Sequence, residues 1–155
     1  LLEDAVDHEQ VVAIDVELAA LETTSGAALA ERARDAGVWV IASVHDFEAT
    51  PPRSVCERLL LAASDHGDVG KLAVTAQTPA DAARLLSVTA TVTGWDRPVA
   101  TMAMGPVADP AGGGTDIRIG AGVRTGGPRC TDCTRSAAAG DAGDRGQPAA
   151  VITAR

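Results

Sequence analysis

Lysine is almost missing from this chain. Twelve of its 13 basic residues are arginines, and Lys71 stands alone. Surface positive charge is therefore carried by Arg, which leaves the isolated Lys for something Arg cannot do. Arg stays protonated in proteins, whereas a buried Lys can lose its proton and become a nucleophile. Positive charge as a whole is also short. The 155 residues carry a formal net charge of −8, which argues against a nucleic-acid groove or an anionic membrane surface. No apolar run approaches the roughly 18 residues that a membrane span needs. The first residues, Leu1-Leu2-Glu3-Asp4, lack the basic region of a secretory signal. Cysteine is scarce too: three residues, an odd number without secretory context, point to a reducing cytoplasm. An acid-rich, lysine-poor composition fits a halophilic one.

What is present divides into two unlike pieces. Residues 1–105 hold 16 acids and 7 bases, and residues 106–155 hold 5 acids and 6 bases. The second piece carries 10 of the 16 glycines and no Leu, Phe, Met or Trp. Such a segment cannot bury enough apolar surface to offset its ordering entropy, so it is expected to be disordered. Domain and function are read from 1–105.

That piece alternates strand and helix patterns. Val11 to Leu18, Val38 to Val44, Val69 to Val74 and Pro98 to Met104 are β-branched or apolar runs of strand length. Between them, Thr24 or Ser25 is expected to cap a helix that Gly37 stops. Thr50 is expected to cap a second helix with Pro51 and Pro52 in its first turn. Thr78-Pro79-Ala80-Asp81 opens a third helix, expected to run through Leu86. Four strands joined by helical crossovers predict a parallel α/β sheet, expected to be covered on both faces. Spacing alone leaves an open doubly wound sheet and a (β/α)₈ barrel equally available. No Gly-rich phosphate loop follows any strand, which counts against a nucleotide-binding doubly wound fold.

Chemistry in parallel α/β folds gathers at the C-terminal ends of strands. Glu17 ends the first strand inside an apolar run, His45 follows the second, and Lys71 lies within the third, where it would point into a barrel centre. A carboxylate, an imidazole and an amine on consecutive strands suit imine chemistry on a carbonyl substrate. The carboxylate fixes the histidine tautomer, and the histidine moves protons beside an imine-forming lysine. Each residue also has a plainer reading. Lys71 packs its stem and snorkels its head, His45 is a loop residue, and Glu17 pairs with an arginine. Other motifs are weaker. His45-Asp46-Phe47-Glu48 has no partner cluster for a metal. Cys130 and Cys133 have metal or redox spacing without a second pair. Gly112-Gly113-Gly114 is not a phosphate loop. Asp4, Asp7 and Glu9 read as a solvated helix face, and Met102 and Met104 as core filler.

Four stretches taken together resemble type I 3-dehydroquinate dehydratase. They are Ile14-Asp15-Val16-Glu17-Leu18, Ser43-Val44-His45-Asp46-Phe47 with Thr50-Pro51, Gly67 to Val74 around Lys71, and Pro98 to Gly105 with its Met102-Ala103-Met104-Gly105 ending. The resemblance covers about two-thirds of the chain and implies a partial (β/α)₈ TIM barrel, with these as strands three to six. By it, Lys71 forms an imine with the C3 ketone of 3-dehydroquinate. His45 is the general acid/base, and Glu17 orients His45. The product is 3-dehydroshikimate, an intermediate of aromatic amino acid biosynthesis. Neither cofactor nor metal is implied, because the protonated imine is the electron sink. A homodimer is implied as the assembly. The nearest rivals are another Schiff-base barrel enzyme of aldolase type and a non-functional remnant.

Departures from the family pattern set further expectations. The acid and arginine of the family's second strand, and its later Ser-Arg pair and Gln-bearing loop, have no counterparts here. We expect residues 106–155 to be out of frame. Codons exist for Ala111 to Gly120 and for Pro128 to Ser136 whose frame one base downstream reads like the family's Arg-containing strand and that loop. We also expect the strands at Val11 and Val99 to be exposed, aggregation-prone edges, and the chain as written to fold poorly and be inactive.

Overall fold

The computed structural model describes residues 6–8, 10–105, 117–120 and 150–154, the last two segments as backbone. Chain order is β1 (Val11–Glu17), α1 (Leu18–Leu21), α2 (Thr24–Asp35), β2 (Trp39–Asp46), α3 (Arg53–His66), β3 (Val69–Thr75), α4 (Pro79–Thr93), β4 (Val99–Met104), β5 (Ile117–Gly120) and β6 (Ala150–Ala154). The sheet runs β5-β4-β3-β2-β1-β6. Strands β1 to β4 are mutually parallel in sequence order, β6 lies parallel to β1, and β5 lies antiparallel to β4. The predicted α/β class with four parallel strands is present.

Sequence chemistry explains the boundaries, with four corrections. Thr23 caps α2, accepting from the Gly26 N–H, one residue before Thr24 and two before Ser25, the predicted caps. Thr50 does not cap α3; its hydroxyl donates to the Thr75 carbonyl and ties the loop to β3. Pro51 and Pro52 precede α3 instead of entering it, and Pro52 holds its N-cap position. Thr78 and Asp81 form a reciprocal capping box on α4, which continues past Leu86 to Thr93. Its second half is β-branched, but Val88 and Val92 are fully buried with Leu85. Tertiary packing there overrides local propensity. Gly37, at φ +74°, ends α2 in the left-handed region as expected.

The described helices lie on one face of the sheet. Side chains alternate across a strand. The residues that pack on helices share one face by strand alternation and register: Ile14, Val16, Val40, Ala42, Leu72, Val74, Val99 and Ala103. They meet Ala30 and Ala33 of α2, Leu60 and Ala63 of α3, and Leu85, Val88 and Val92 of α4. Thus α2, α3 and α4 cover one sheet face, and no helix among the described residues covers the other. Gly70 belongs to the helix face, where a Cβ would stand 2.4 Å from Ser64 Oγ, so β3 and α3 approach more closely than any side chain permits. Helices on a single face match the wall of a barrel and not a doubly wound sheet.

The edges differ from expectation as well. Strand β6 pairs with β1 and β5 pairs with β4, so neither Val11 nor Val99 lies on an open edge. Two segments of the tail, 117–120 and 150–154, therefore form strands, contrary to the expected disorder. The remaining residues of 106–155 lie outside those described, as do Asp4, Glu9, Gly112, Gly113, Gly114, Cys130 and Cys133. Among the described residues, no helix is long and apolar enough to cross a membrane.

Candidate active site

The face without helices carries the polar residues. In register across it stand Glu17, Ser43, Lys71 and Ala100, one on each of the four parallel strands. Asp15 lies two residues before Glu17, and His45 two residues after Ser43, so both share that face. Strand alternation and register place all six on the helix-free side.

One ion pair and one imidazole–carboxylate hydrogen bond organise them. Lys71 Nζ donates to Asp15 Oδ2 at 2.6 Å, with side-chain exposures of 19% and 4%. His45 Nδ1 lies 2.5 Å from Glu17 Oε1. A carboxylate can only accept, so this contact puts the proton on Nδ1 and leaves Nε2 to exchange one. Among the described residues Nε2 has no partner. Phe47 stacks on the same imidazole, with ring centroids 5.6 Å apart and planes 4° from parallel. The histidine is thus gripped at one nitrogen and on one ring face.

The loop that presents Phe47 is pinned from below. Asp46 Oδ1 accepts from the backbone N–H groups of Glu48 and Ala49. Thr75 donates to the Asp46 carbonyl, and Arg84 donates to the Thr50 carbonyl. Asp46 is therefore engaged as a turn former, not as a metal ligand. Among the described residues no group of three or more His, Cys, Asp or Glu could hold a metal ion.

Placement of the sequence-derived candidates is mixed. Glu17 and His45 meet. His45 lies inside β2, not after it as its position in the sequence suggested. Lys71 faces the same side but pairs with Asp15, which sequence reasoning passed over. The signal was present: Asp15 is the acid two positions before Glu17, inside an apolar strand, and period two places both on one face. Ser43 and the stacking of Phe47 were missed as well. By strand spacing, Lys71 and His45 lie one strand and two residues apart, about 8 Å between Cα atoms. That gap suits a small ring with a carbonyl at the amine and an acidic C–H at the imidazole.

Comparisons with known proteins agree in direction. A family model described as type I 3-dehydroquinase matches residues 1–108. The 3-dehydroquinate dehydratase of Haloquadratum walsbyi is 47% identical over 105 residues, covering 68% of this chain and 43% of that protein. The Haloarcula marismortui protein of the same name is 46% identical over 107 residues, covering 67% and 47%. A crystal structure of the Clostridium difficile type I 3-dehydroquinate dehydratase, carrying a covalently modified comenic acid, superposes with a TM-score of 0.60 at 32% identity. It covers 66% of this chain and 42% of that one. The Geobacillus kaustophilus 3-dehydroquinate dehydratase gives a TM-score of 0.62 at 28% identity, over 72% and 44%. The chain spans less than half the length of these relatives.

Proposed function

Since the chain belongs to the type I 3-dehydroquinase family, we propose that its helix-free sheet face forms an imine between Lys71 and 3-dehydroquinate and directs dehydration to 3-dehydroshikimate. One observation carries this reading: a mostly buried amine, held on Asp15, shares a face with an imidazole held on Glu17.

Lys71 passes its ammonium proton to Asp15 and attacks the C3 ketone as a free amine, and Asp15 returns that proton to the departing carbinolamine hydroxyl. The carbinolamine then loses water and leaves a protonated imine. Asp15 remains beside that nitrogen as its counter-ion. His45 Nε2 takes the C2 proton, and the electron pair moves into the imine to give an enamine. The C1 hydroxyl departs with a proton returned by His45, which regenerates the imine one water poorer. Hydrolysis then restores the lysine and releases the enone. Glu17 holds the imidazole in its productive tautomer and stabilises its charged form. We place this step in the shikimate pathway to aromatic amino acids, in the cytoplasm, with a homodimer as the assembly.

Turnover by this chain should fall short of its chemistry. The acid and arginine of the family's second strand, and its later Ser-Arg pair and Gln-bearing loop, have no counterparts in this chain, so those contacts to the substrate are missing. Imine formation is expected, with slow release of product. The test is borohydride trapping of the purified chain with 3-dehydroquinate. Mass spectrometry should find the reduced adduct on Lys71, and the enone absorbance should rise slowly. A folded protein that gives no adduct refutes the imine reading. An adduct with rapid turnover refutes the expected impairment. Aldol cleavage products would transfer the site to the aldolase class.

A further inference from the structure

Two buried side-chain polar atoms among the described residues have no hydrogen-bond partner, and both belong to this face: Asp15 Oδ1 and Ser43 Oγ. Their placement is not incidental. Asp15 is on β1 and Lys71 on β3, so their ion pair reaches over β2, across about 10 Å of sheet. Ser43 is the β2 residue in register with Lys71 on one side and Glu17 on the other. It is 1% exposed, and Asp15 is 3% exposed. The serine thus lies within the span of the bridge. A buried hydroxyl needs an acceptor for its proton, and a buried carboxylate oxygen needs a donor. Each supplies what the other lacks.

We propose that Ser43 and Asp15 are positioning residues for Lys71, joined through one buried water that bridges Ser43 Oγ to Asp15 Oδ1. Such a water satisfies two orphaned atoms in an otherwise closed place, which is the usual role of a buried water. With both oxygens engaged, Asp15 cannot swing, and its Oδ2 fixes the direction in which Nζ presents itself. Ser43 acts through Asp15 and never touches the substrate. The catalytic consequence rests on the proposed imine reading, whereas the hydrogen-bonded arrangement does not.

The single lysine makes the test specific. The full chain labelled with 15N-lysine has one Nζ resonance, read by NMR at each Nζ proton's exchange rate with water. Ser43→Ala should speed that exchange by about tenfold, because a hydrogen bond to a charged group is removed. Ser43→Thr, which keeps the hydroxyl, should restore the slow rate. Asp15→Asn should speed exchange more than Ser43→Ala does. Amide spectra check that each variant is folded. Under borohydride trapping with 3-dehydroquinate, Ser43→Ala should lower the rate of adduct formation by about tenfold. Its labelling by formaldehyde and cyanoborohydride, which needs no substrate positioning, should not slow. Unchanged Nζ exchange in folded Ser43→Ala overturns the proposal. So does equal slowing of both labelling reactions. If the Nζ exchange responds as expected but 3-dehydroquinate labels no variant, the arrangement stands and the imine reading fails.

Discussion

The two faces of one sheet are built from alternate residues of the same strands, yet they are different materials. On one face Ile14, Val40, Leu72 and Val99 are closed off by helices and carry no titratable group. On the other, Lys71 is ion-paired with Asp15 and His45 is hydrogen-bonded to Glu17, with no helix over them among the described residues. A shift of one residue in register would exchange the two sets. The helix face supplies stability through area removed from water. The open face spends some of it, because desolvating an ion pair costs energy that mutual attraction only partly returns. Placing both on one strand lets the rigid side aim the reactive side.

Substitutions on the two faces should therefore separate chemistry from folding. Lys71→Met should abolish the borohydride-trapped adduct completely. Removing one partner of a buried pair should also cost about 3–5 kcal/mol, and replacing both, as Asp15→Leu with Lys71→Met, should recover much of that loss. Urea unfolding of the two singles and the double checks the pattern. A double variant no more stable than Lys71→Met alone would mean that the pair is not a closed unit. His45→Gln should slow enone formation by about 10²- to 10⁴-fold with little change in urea midpoint, if the imidazole serves proton transfer and not packing.

Leu60→Ala probes the opposite face. Leu60 is fully buried between α3 and the sheet, so truncation should cost about 2–5 kcal/mol. Trapping at Lys71, measured per folded molecule, should be unchanged. A matching fall in the rate of trapping would show that the two faces are mechanically coupled and would break the division drawn above.

Much of this division was legible in the sequence, and the reasons differ by element. Four β-branched runs alternating with capped amphipathic segments located β1 to β4 and α2 to α4, because period and capping are local signals. The single-sided cover was not legible. A strand buried by helices on one face and by a closing barrel wall on the other reads as the same apolar run as one buried by helices on both. Lys71 stood out through composition, and Glu17 and His45 through their places at strand ends. Asp15 did not, since an acid inside an apolar run reads as an isolated anomaly until its partner is known, and that partner is 56 residues away. Ser43 was invisible for the same reason: its burial depends on a bridge between two other strands. The pairing of 117–120 and 150–154 with the sheet edges was hidden by a glycine-rich composition that suggested no order at all.

The smallest expected effect lies away from both faces, at the entrance to α4, and bounds what a purely local change does. Thr78 and Asp81 cap that helix reciprocally, and Thr78→Ala should cost about 1 kcal/mol. The Asp81 carboxyl is held below its ordinary value chiefly by the Thr78 hydroxyl, assisted by the Thr78 N–H and by Arg84. A carboxyl whose folded value is depressed binds its proton more weakly than in the unfolded chain. Its contribution is therefore complete above the unfolded value, near pH 4, and is lost as pH falls through the folded value. Lowering the pH acts on the rest of the chain as well, so the measurement must be a difference. Urea midpoints of the parent and Asp81→Asn, taken downward from neutral pH, should diverge least at the acid end. The asparagine keeps an oxygen for the cap but has no proton to gain. A gap that stays constant with pH would assign the cap to its geometry and not to its charge. Trapping at Lys71 should be indifferent to Thr78→Ala, whereas Asp81→Asn also loosens Arg84, which pins the loop presenting Phe47.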